Sequence, residues 1–245
     1  MALRGLLTDL HIHTKMSDGH VPLLEIIDIF GKGGVDVLNV ADHIYDTITV
    51  HGKEVHKGGY CIEDWERYSK QVLKAQRYAR KTYGMLVIQG AEITRADSGD
   101  NTPGFHIVAV DLKEPVDPNL QPGDIIRAIQ AQGGITISAH PYDKGPGSDQ
   151  DDRGNVFHLW ENLETFRNIV DLWEIANGRV LYEKVAQRGL PFVANSDFHI
   201  HIDPHDPNRK SQFFSWKTVV EAKRDVDSIK KALLEQRIAL KLITP

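Results

Sequence analysis

Histidine and carboxylate recur together along this chain at spacings that could hold metal ions. Asp9, His11 and His13 share one short segment; Asp42-His43, Glu92, His106, His140 and Asp197-Phe-His199 follow. Residues two apart on a strand share a face, so His11 with His13, and Asp197 with His199, can converge as pairs. Imidazole and carboxylate at this density suit divalent transition metals such as Zn, Mn or Fe. The donors His11, His13, Asp18, His43, Glu92, His106, His140, Asp197 and His199 are too many for one ion. They are enough for two or three ions that share a bridging carboxylate. A water shared by two such ions loses its proton near neutral pH and becomes a nucleophile, while the ions steady the oxygens of the group under attack. Asp9 and Asp42 flank these candidates, either as partners that orient imidazoles or as carboxylates that cap backbone. Glu174 is a ligand or the buried partner of a basic residue, and stays outside the set. His20, His51, His56, His158, His201 and His205 fall in polar loops or at helix edges and read as solvated.

Donors so far apart in sequence can meet only if regular elements bring them together. Apolar runs of strand length fall at 6–12, 35–40, 85–93, 105–112, 135–139, 170–176, 192–196 and 213–220. Helical patterns fall between them, at 21–32, 63–83, 123–132, 160–168 and 180–188, with a last one at 225–236 before a short apolar tail. Strands nearly continuous in Val, Ile and Leu that alternate with helices predict an α/β fold whose mostly parallel sheet is covered on both faces. This many units predict a closed barrel, a single domain over 1–245. An open doubly wound sheet is disfavoured because no Gly-rich phosphate fingerprint follows the first strand. Most of the donors close a strand, and in a parallel barrel the C-terminal strand ends share one face. The connections 47–60, 95–104, 143–159 and 201–211 are predicted loops on that face, where substrate choice is set. The Gly-, Pro- and Asp-rich stretch 143–159 reads as a lid or as plain disorder.

Composition narrows the rest. The chain has 245 residues with 12 His and one Cys, so neither an intrachain disulfide nor a Cys-based zinc cluster is available, and the non-imidazole donors must be Asp and Glu. A net charge of −5 offers no basic field for an extended nucleic-acid duplex. The N-terminus lacks an apolar stretch of signal-peptide length, and no run approaches a membrane span, so a soluble, cytoplasmic protein is expected. Nothing in the sequence bears on oligomeric state.

The segments Asp9-Leu-His-Ile-His-Thr-Lys-Met-Ser-Asp-Gly19, Ala41-Asp-His43, Gly90-Ala-Glu92, Phe105-His106, Ala139-His-Pro141 and Asn195-Ser-Asp-Phe-His199 together resemble the PHP (polymerase and histidinol phosphatase) family of hydrolases. They follow the family's order and span nearly the whole chain. The resemblance implies a distorted (β/α)7 barrel of the PHP type with a trinuclear metal centre and phosphoester hydrolysis. By position it implies one ion on His11, His13, Glu92 and Asp197, a second on Asp18, His43 and His199, and a third on Glu92, His106 and His140, with Glu92 bridging. Some members carry a His where this chain has Ser17-Asp18-Gly19, so His20 competes with Asp18 for that role.

The expected activity is therefore metal-dependent hydrolysis of a small phosphorylated metabolite or nucleotide by a metal-bridging hydroxide. Catalysis is assigned to Glu92, Asp197 and His199, as ligands first. Lys15, Arg95, Arg179 and Lys217 are the candidate cations for orienting substrate and steadying transition-state charge. Two alternatives stand beside this reading: an amidohydrolase-type hydrolase or deaminase, which also opens on His-x-His but needs a carboxylated Lys with no obvious counterpart here, and a non-catalytic metal-stabilised module.

Overall fold

An apolar run forms a buried strand when both its faces are covered, and the first run does so: β1 (Gly5–Ile12) is buried from its second residue to its last. The computed structural model describes residues 5–96, 102–142, 156–201 and 211–245. After β1 come α1 (Leu23–Lys32), β2 (Val37–Val40), β3 (His43–Tyr45), α2 (Val50–Gly58), α3 (Trp65–Tyr83), β4 (Leu86–Arg95), β5 (Phe105–Val110), α4 (Pro122–Ala131) and β6 (Ile135–Ser138). The chain continues through α5 (His158–Glu161), α6 (Leu163–Phe166), β7 (Leu172–Asn177), β8 (Val180–Leu181), α7 (Glu183–Gln187), β9 (Phe192–Asn195), β10 (Trp216–Glu221), α8 (Val226–Leu234) and β11 (Ile238–Leu242).

The strands form one sheet in the order β11-β10-β1-β2-β4-β5-β6-β7-β8, with β3 beside β4 and β9 beside β7. β1, β2 and β4 run parallel, as do β6, β7 and β9. β5 is antiparallel to both its neighbours, and β10 is antiparallel to β1. The sheet curls on itself: Ile12 bridges to Phe198 just past β9, and Leu10 N–H donates to Asn195 Oδ1 at 2.9 Å. The α/β expectation is met by a curled half-barrel sheet of mixed strand direction, in place of the mostly parallel closed barrel of the distorted (β/α)7 reading. Only residues 96–104 separate β4 from β5, too few for a crossover helix, so β5 must turn back.

Two local irregularities position the site. Between Asp9 and Ile12, β1 carries one more residue than β2 opposite it, and such a bulge re-aims the side chains beyond it. Leu6 and Leu10 pack with Val37, Ile88, Val193 and Ile229, whereas Ile12 packs with α1 and α3 through Ile26, Phe30 and Val72. His11 and His13 are thereby turned to the strand ends. The reversal of β5 is the second irregularity. It sets Thr94 opposite His106, so a donor at the start of one strand meets donors at the ends of others.

Elsewhere the pattern reading needs amending. Residues 47–60 contain α2, started by the Thr49 side chain accepting from Gly52 N–H, rather than a loop. The 160–168 helix is broken into the short turns α5 and α6, the 180–188 helix is split into β8 and α7, and the apolar tail is strand β11. Gly84 ends α3 as expected, at φ 63°. Most of 143–159 and of 201–211, and the centre of 95–104, lie outside the described residues.

Candidate metal centre

His11 and His13 present their Nε2 atoms 3.0 Å apart. Each lies 3.4 Å from Glu92 Oε2 and 3.3 Å from Asp197 Oδ1. Ligand bonds of roughly 2.0–2.1 Å in a tetrahedron require donor separations of about 3.3–3.4 Å. His11, His13 and Glu92 bring one donor atom each close enough to share a divalent ion, Asp197 Oδ1 lies beside both imidazoles, and all four residues are buried. A second group gathers at Asp18, whose Oδ2 lies 3.5 Å from His43 Nε2 and 3.3 Å from His199 Nε2. A third lies on the other oxygen of Glu92: His106 Nδ1 is 2.9 Å from Oε1 and His140 Nε2 is 3.8 Å from it. Glu92 therefore faces two groups at once, as a bridging carboxylate must. The nine expected donors are thus drawn into one connected cluster. His20 is exposed and meets His199 only through backbone, its N–H donating to the His199 carbonyl at 2.8 Å.

Local structure explains how Asp18 is held. A Cβ on Gly19 would lie 2.6 Å from the His13 carbonyl carbon, so only glycine allows this loop to fold against β1. Asp42 accepts from Thr14 N–H at 2.7 Å, Thr14 Oγ1 at 2.9 Å and Ser17 Oγ at 2.6 Å, which pins the 14–18 segment. Asp9 accepts from Ser196 N–H at 3.0 Å and pairs with Lys217 Nζ at 3.0 Å. Both carboxylates therefore brace ligand-bearing backbone, and among the described residues their hydrogen-bond and ion-pair partners are not imidazoles. His140 and Asp197 sit at φ 27° and 52°, in the region non-glycine residues seldom adopt.

Imidazole orientation comes from groups the sequence reading did not assign. Glu174, wholly buried, takes His11 Nδ1–H at 2.9 Å and so aims Nε2 at the cluster. Burial opposes charge on this ring, but Asp197, Glu92 and Glu174 outweigh it and raise it well above the usual range, so a metal ion would displace the Nε2 proton. Its oxygens also accept from His140 N–H, Asn177 Nδ2 and Asn195 Nδ2. The Asp197 carbonyl takes His199 Nδ1–H at 2.9 Å, and Thr94 Oγ1 lies 2.7 Å from His43 Nδ1. A carboxylate inside the apolar run of β7 was the available signal for Glu174. No comparable signal marked Thr94.

Electrostatics within the cluster follow from this crowding. Burial drives Asp18 and Glu92 up, but His43 and His199 beside Asp18, and His106, His11 and His43 beside Glu92, outweigh it and hold both carboxyls far below the usual range. Burial opposes charge on His199, yet Asp18 pushes it up to about 9. His13 goes the other way: burial, with His199 and His43 alongside, pushes it down to about 3. A neutral His13 is in the state that metal ligation requires, and its Nδ1 is buried without a hydrogen-bond partner among the described residues. Access is graded, with His11, His13 and Glu92 sealed and Asp18 and His199 38% and 23% exposed. The mouth lies on the Asp18 side.

Two of the four candidate cations are structural. Lys217 is fully buried between Phe30 and Phe213, held by Asp9 and Ser215. Arg95 is also buried, its Nη2 donating to the carbonyls of Pro118 and Leu120 at 2.6 and 2.8 Å. Both cationic groups are taken up by partners within the fold. Lys15 and Arg179 are exposed, Lys15 on the same loop as Asp18. Of the loop histidines, His51 and His56 are on α2, and His56 is half-buried with Nε2 3.0 Å from the Tyr45 carbonyl. His201 Nδ1 lies 2.9 Å from Ser211 Oγ, and His205 lies outside the described residues.

The curled mixed sheet is a fold shared with solved structures. A two-domain protein from Bacteroides vulgatus ATCC 8482, containing a predicted PHP-like metal-dependent phosphoesterase, superimposes with a TM-score of 0.65 at 23% identity, over 98% of this chain and 66% of that one. This chain thus spans just under two thirds of that protein's length. An amidohydrolase from Chromobacterium violaceum, with bound sulfate and no metal, gives a TM-score of 0.51 at 16% identity over 95% and 97% of the two chains. In sequence, an uncharacterized protein of Methanocaldococcus jannaschii is 28% identical over 145 residues, covering 55% of this chain and 67% of that one. No family model matches the chain. The PHP resemblance carried by the sequence motifs is borne out in the fold. Among the described residues no helix is long and apolar enough to cross a membrane.

Proposed function

We propose that this protein is a metal-dependent phosphoesterase acting on a small phosphorylated metabolite or nucleotide, with two or three divalent ions (Zn, Mn or Fe) held by the nine-donor cluster. The observation that carries the reading is the buried group of His11, His13 and Glu92, with Asp197 Oδ1 3.3 Å from both imidazoles, joined through Glu92 to His106 and His140. Bound ions would supply Lewis acidity and an activated water at neutral pH. The chain's own residues do the rest. Glu174 and the Asp197 carbonyl fix imidazole tautomers, Asp42 and Asp9 hold the loops, and burial of His11, His13 and Glu92 keeps bulk water out. Substrate would enter past Asp18 and His199, with Lys15 and Arg179 as the exposed cations for its phosphoryl oxygens. Glu92, in the bridging position, supports this reading over the amidohydrolase alternative.

The test is hydrolysis by protein stripped with EDTA and then reloaded with Zn, Mn or Fe, on phosphomonoesters, phosphodiesters and amides. Phosphoester cleavage restored by metal, and abolished in H140A or D197A variants that still fold, is the expected result. Amide hydrolysis alone would favour the amidohydrolase reading, and full metal loading without any turnover would favour a non-catalytic module.

A further inference from the structure

A second polar cluster stands apart from the donors assigned above. His56 near the end of α2, Cys61 in the connection, and Glu63 just before α3 bring one donor atom each within 4.8 Å of one another. Cys61 Sγ is 3.3 Å from His56 Nδ1, and His56 Nδ1 is 3.8 Å from Glu63 Oε1. A tetrahedral zinc with Zn–S near 2.3 Å and Zn–N or Zn–O near 2.0–2.1 Å separates those donors by about 3.6 Å and about 3.4 Å. The observed separations differ by a few tenths of an ångström.

Two independent features fit the same ligand. His56 Nε2 lies 3.0 Å from the Tyr45 carbonyl, which can only accept, so Nε2 carries the proton and Nδ1 presents its lone pair toward Cys61. Cys61 and Glu63 also line a cavity of about 560 Å³ shared with Lys15, Met16, Leu23 and Arg67, so a coordination position on that side would open to solvent or to a small ligand. Thiolate with imidazole selects zinc and similar borderline ions over Mg or Ca.

We propose that His56, Cys61 and Glu63 form a separate mononuclear site for zinc or a like transition ion, with a fourth position open to the adjoining cavity. Binding replaces the Cys61 S–H by an S–metal bond and releases that proton to solvent. The ion would tie α2 to α3 and brace β3, because His56 bonds to Tyr45 and Ile62 N–H donates to the His43 carbonyl at 2.8 Å. It would thus lie behind the strand that carries His43.

Such a site departs from the sequence expectation that every donor besides imidazole is Asp or Glu, and because Cys61 is the chain's only cysteine the test is specific. The metal-stripped full chain is titrated with Co²⁺ and followed by near-ultraviolet absorbance, where a thiolate–cobalt charge-transfer band can come from Cys61 alone. We expect a band that saturates at one equivalent, vanishes in C61S, and needs at least tenfold more Co²⁺ in H56A or E63Q. C61S should keep the cobalt bound by the larger cluster, counted by elemental analysis, and this separates failure of this site from failure of the proposed centre. Fully cobalt-loaded wild-type protein without the band, or a band of unchanged affinity in H56A, would overturn the assignment.

Discussion

Replacing Glu174 by Gln keeps volume and shape but turns one acceptor oxygen into an NH2 group. The wild-type carboxylate accepts four hydrogen bonds of 2.8–2.9 Å, two on each oxygen. Whichever way the amide is turned, its NH2 faces two donors. On one side these are His11 Nδ1–H and Asn195 Nδ2; on the other, His140 N–H and Asn177 Nδ2. In the first orientation His11 can relieve the clash only by moving its proton to Nε2, the atom that faces His13, Glu92 and Asp197. Loss of such a ligand-orienting partner costs about 10- to 100-fold in metal affinity, or about 1.4–2.7 kcal/mol. Buried donors left unpaired cost a further ~1–3 kcal/mol of stability, so a loss near 2 kcal/mol would lower Tm by roughly 4–8 °C. Zinc competition against a chromophoric chelator measures the first quantity, and calorimetry of EDTA-treated protein the second. Metal affinity within twofold of wild type in E174Q would refute the claim that Glu174 sets the His11 tautomer.

Three further outcomes follow from the same geometry. K217M should destabilise the fold by about 3–5 kcal/mol in urea titration, because it strands the Asp9 charge in the core, and K217M/D9N should recover much of the loss; a raised KM with unchanged stability would instead make Lys217 a substrate cation. D18N should lower the bound-metal count by about one while H20A leaves it unchanged, and the reverse result would hand the position to His20. With His199 raised to about 9, metal-free protein holds its proton at neutral pH; apparent metal affinity should therefore climb as pH rises toward 9 and then level, followed by calorimetry in buffers of different ionisation enthalpy. The same raised value makes its contribution to metal-free stability complete below about pH 6.5, and lost as pH passes through about 9. EDTA-treated protein should melt higher at the acidic end of that window.

That the nine candidate side chains would gather was legible in the sequence, because strands deliver their ends to one place, and position along an apolar run needs no knowledge of pairing. What direction β5 ran was not legible, since periodicity carries no sign. His106 stands at the start of its strand, and the antiparallel pairing is what brings it beside Glu92. Lys217 and Arg95 lie buried, against expectation, for another reason. Sequence shows that a cation exists but not whether a carboxylate or a carbonyl has already claimed it, and Asp9 lies more than two hundred residues from Lys217. Helix α2 escaped notice because a short polar helix started by a single threonine carries little apolar period to detect.

The positive φ values at His140 and Asp197 constrain how this centre could change over evolutionary time. A left-handed backbone admits Gly freely and tolerates Asn, Asp and His better than other side chains, while branched or bulky residues are penalised. At position 197 that filter leaves Asp as the one anionic choice, so a swap to Glu would be opposed by the main chain before its longer reach mattered. At position 140 the same filter retains His as the imidazole donor. Glu92, in an ordinary strand, carries no such restriction. Substitutional drift in ligand chemistry should thus begin at strand positions and reach the two twisted ones last.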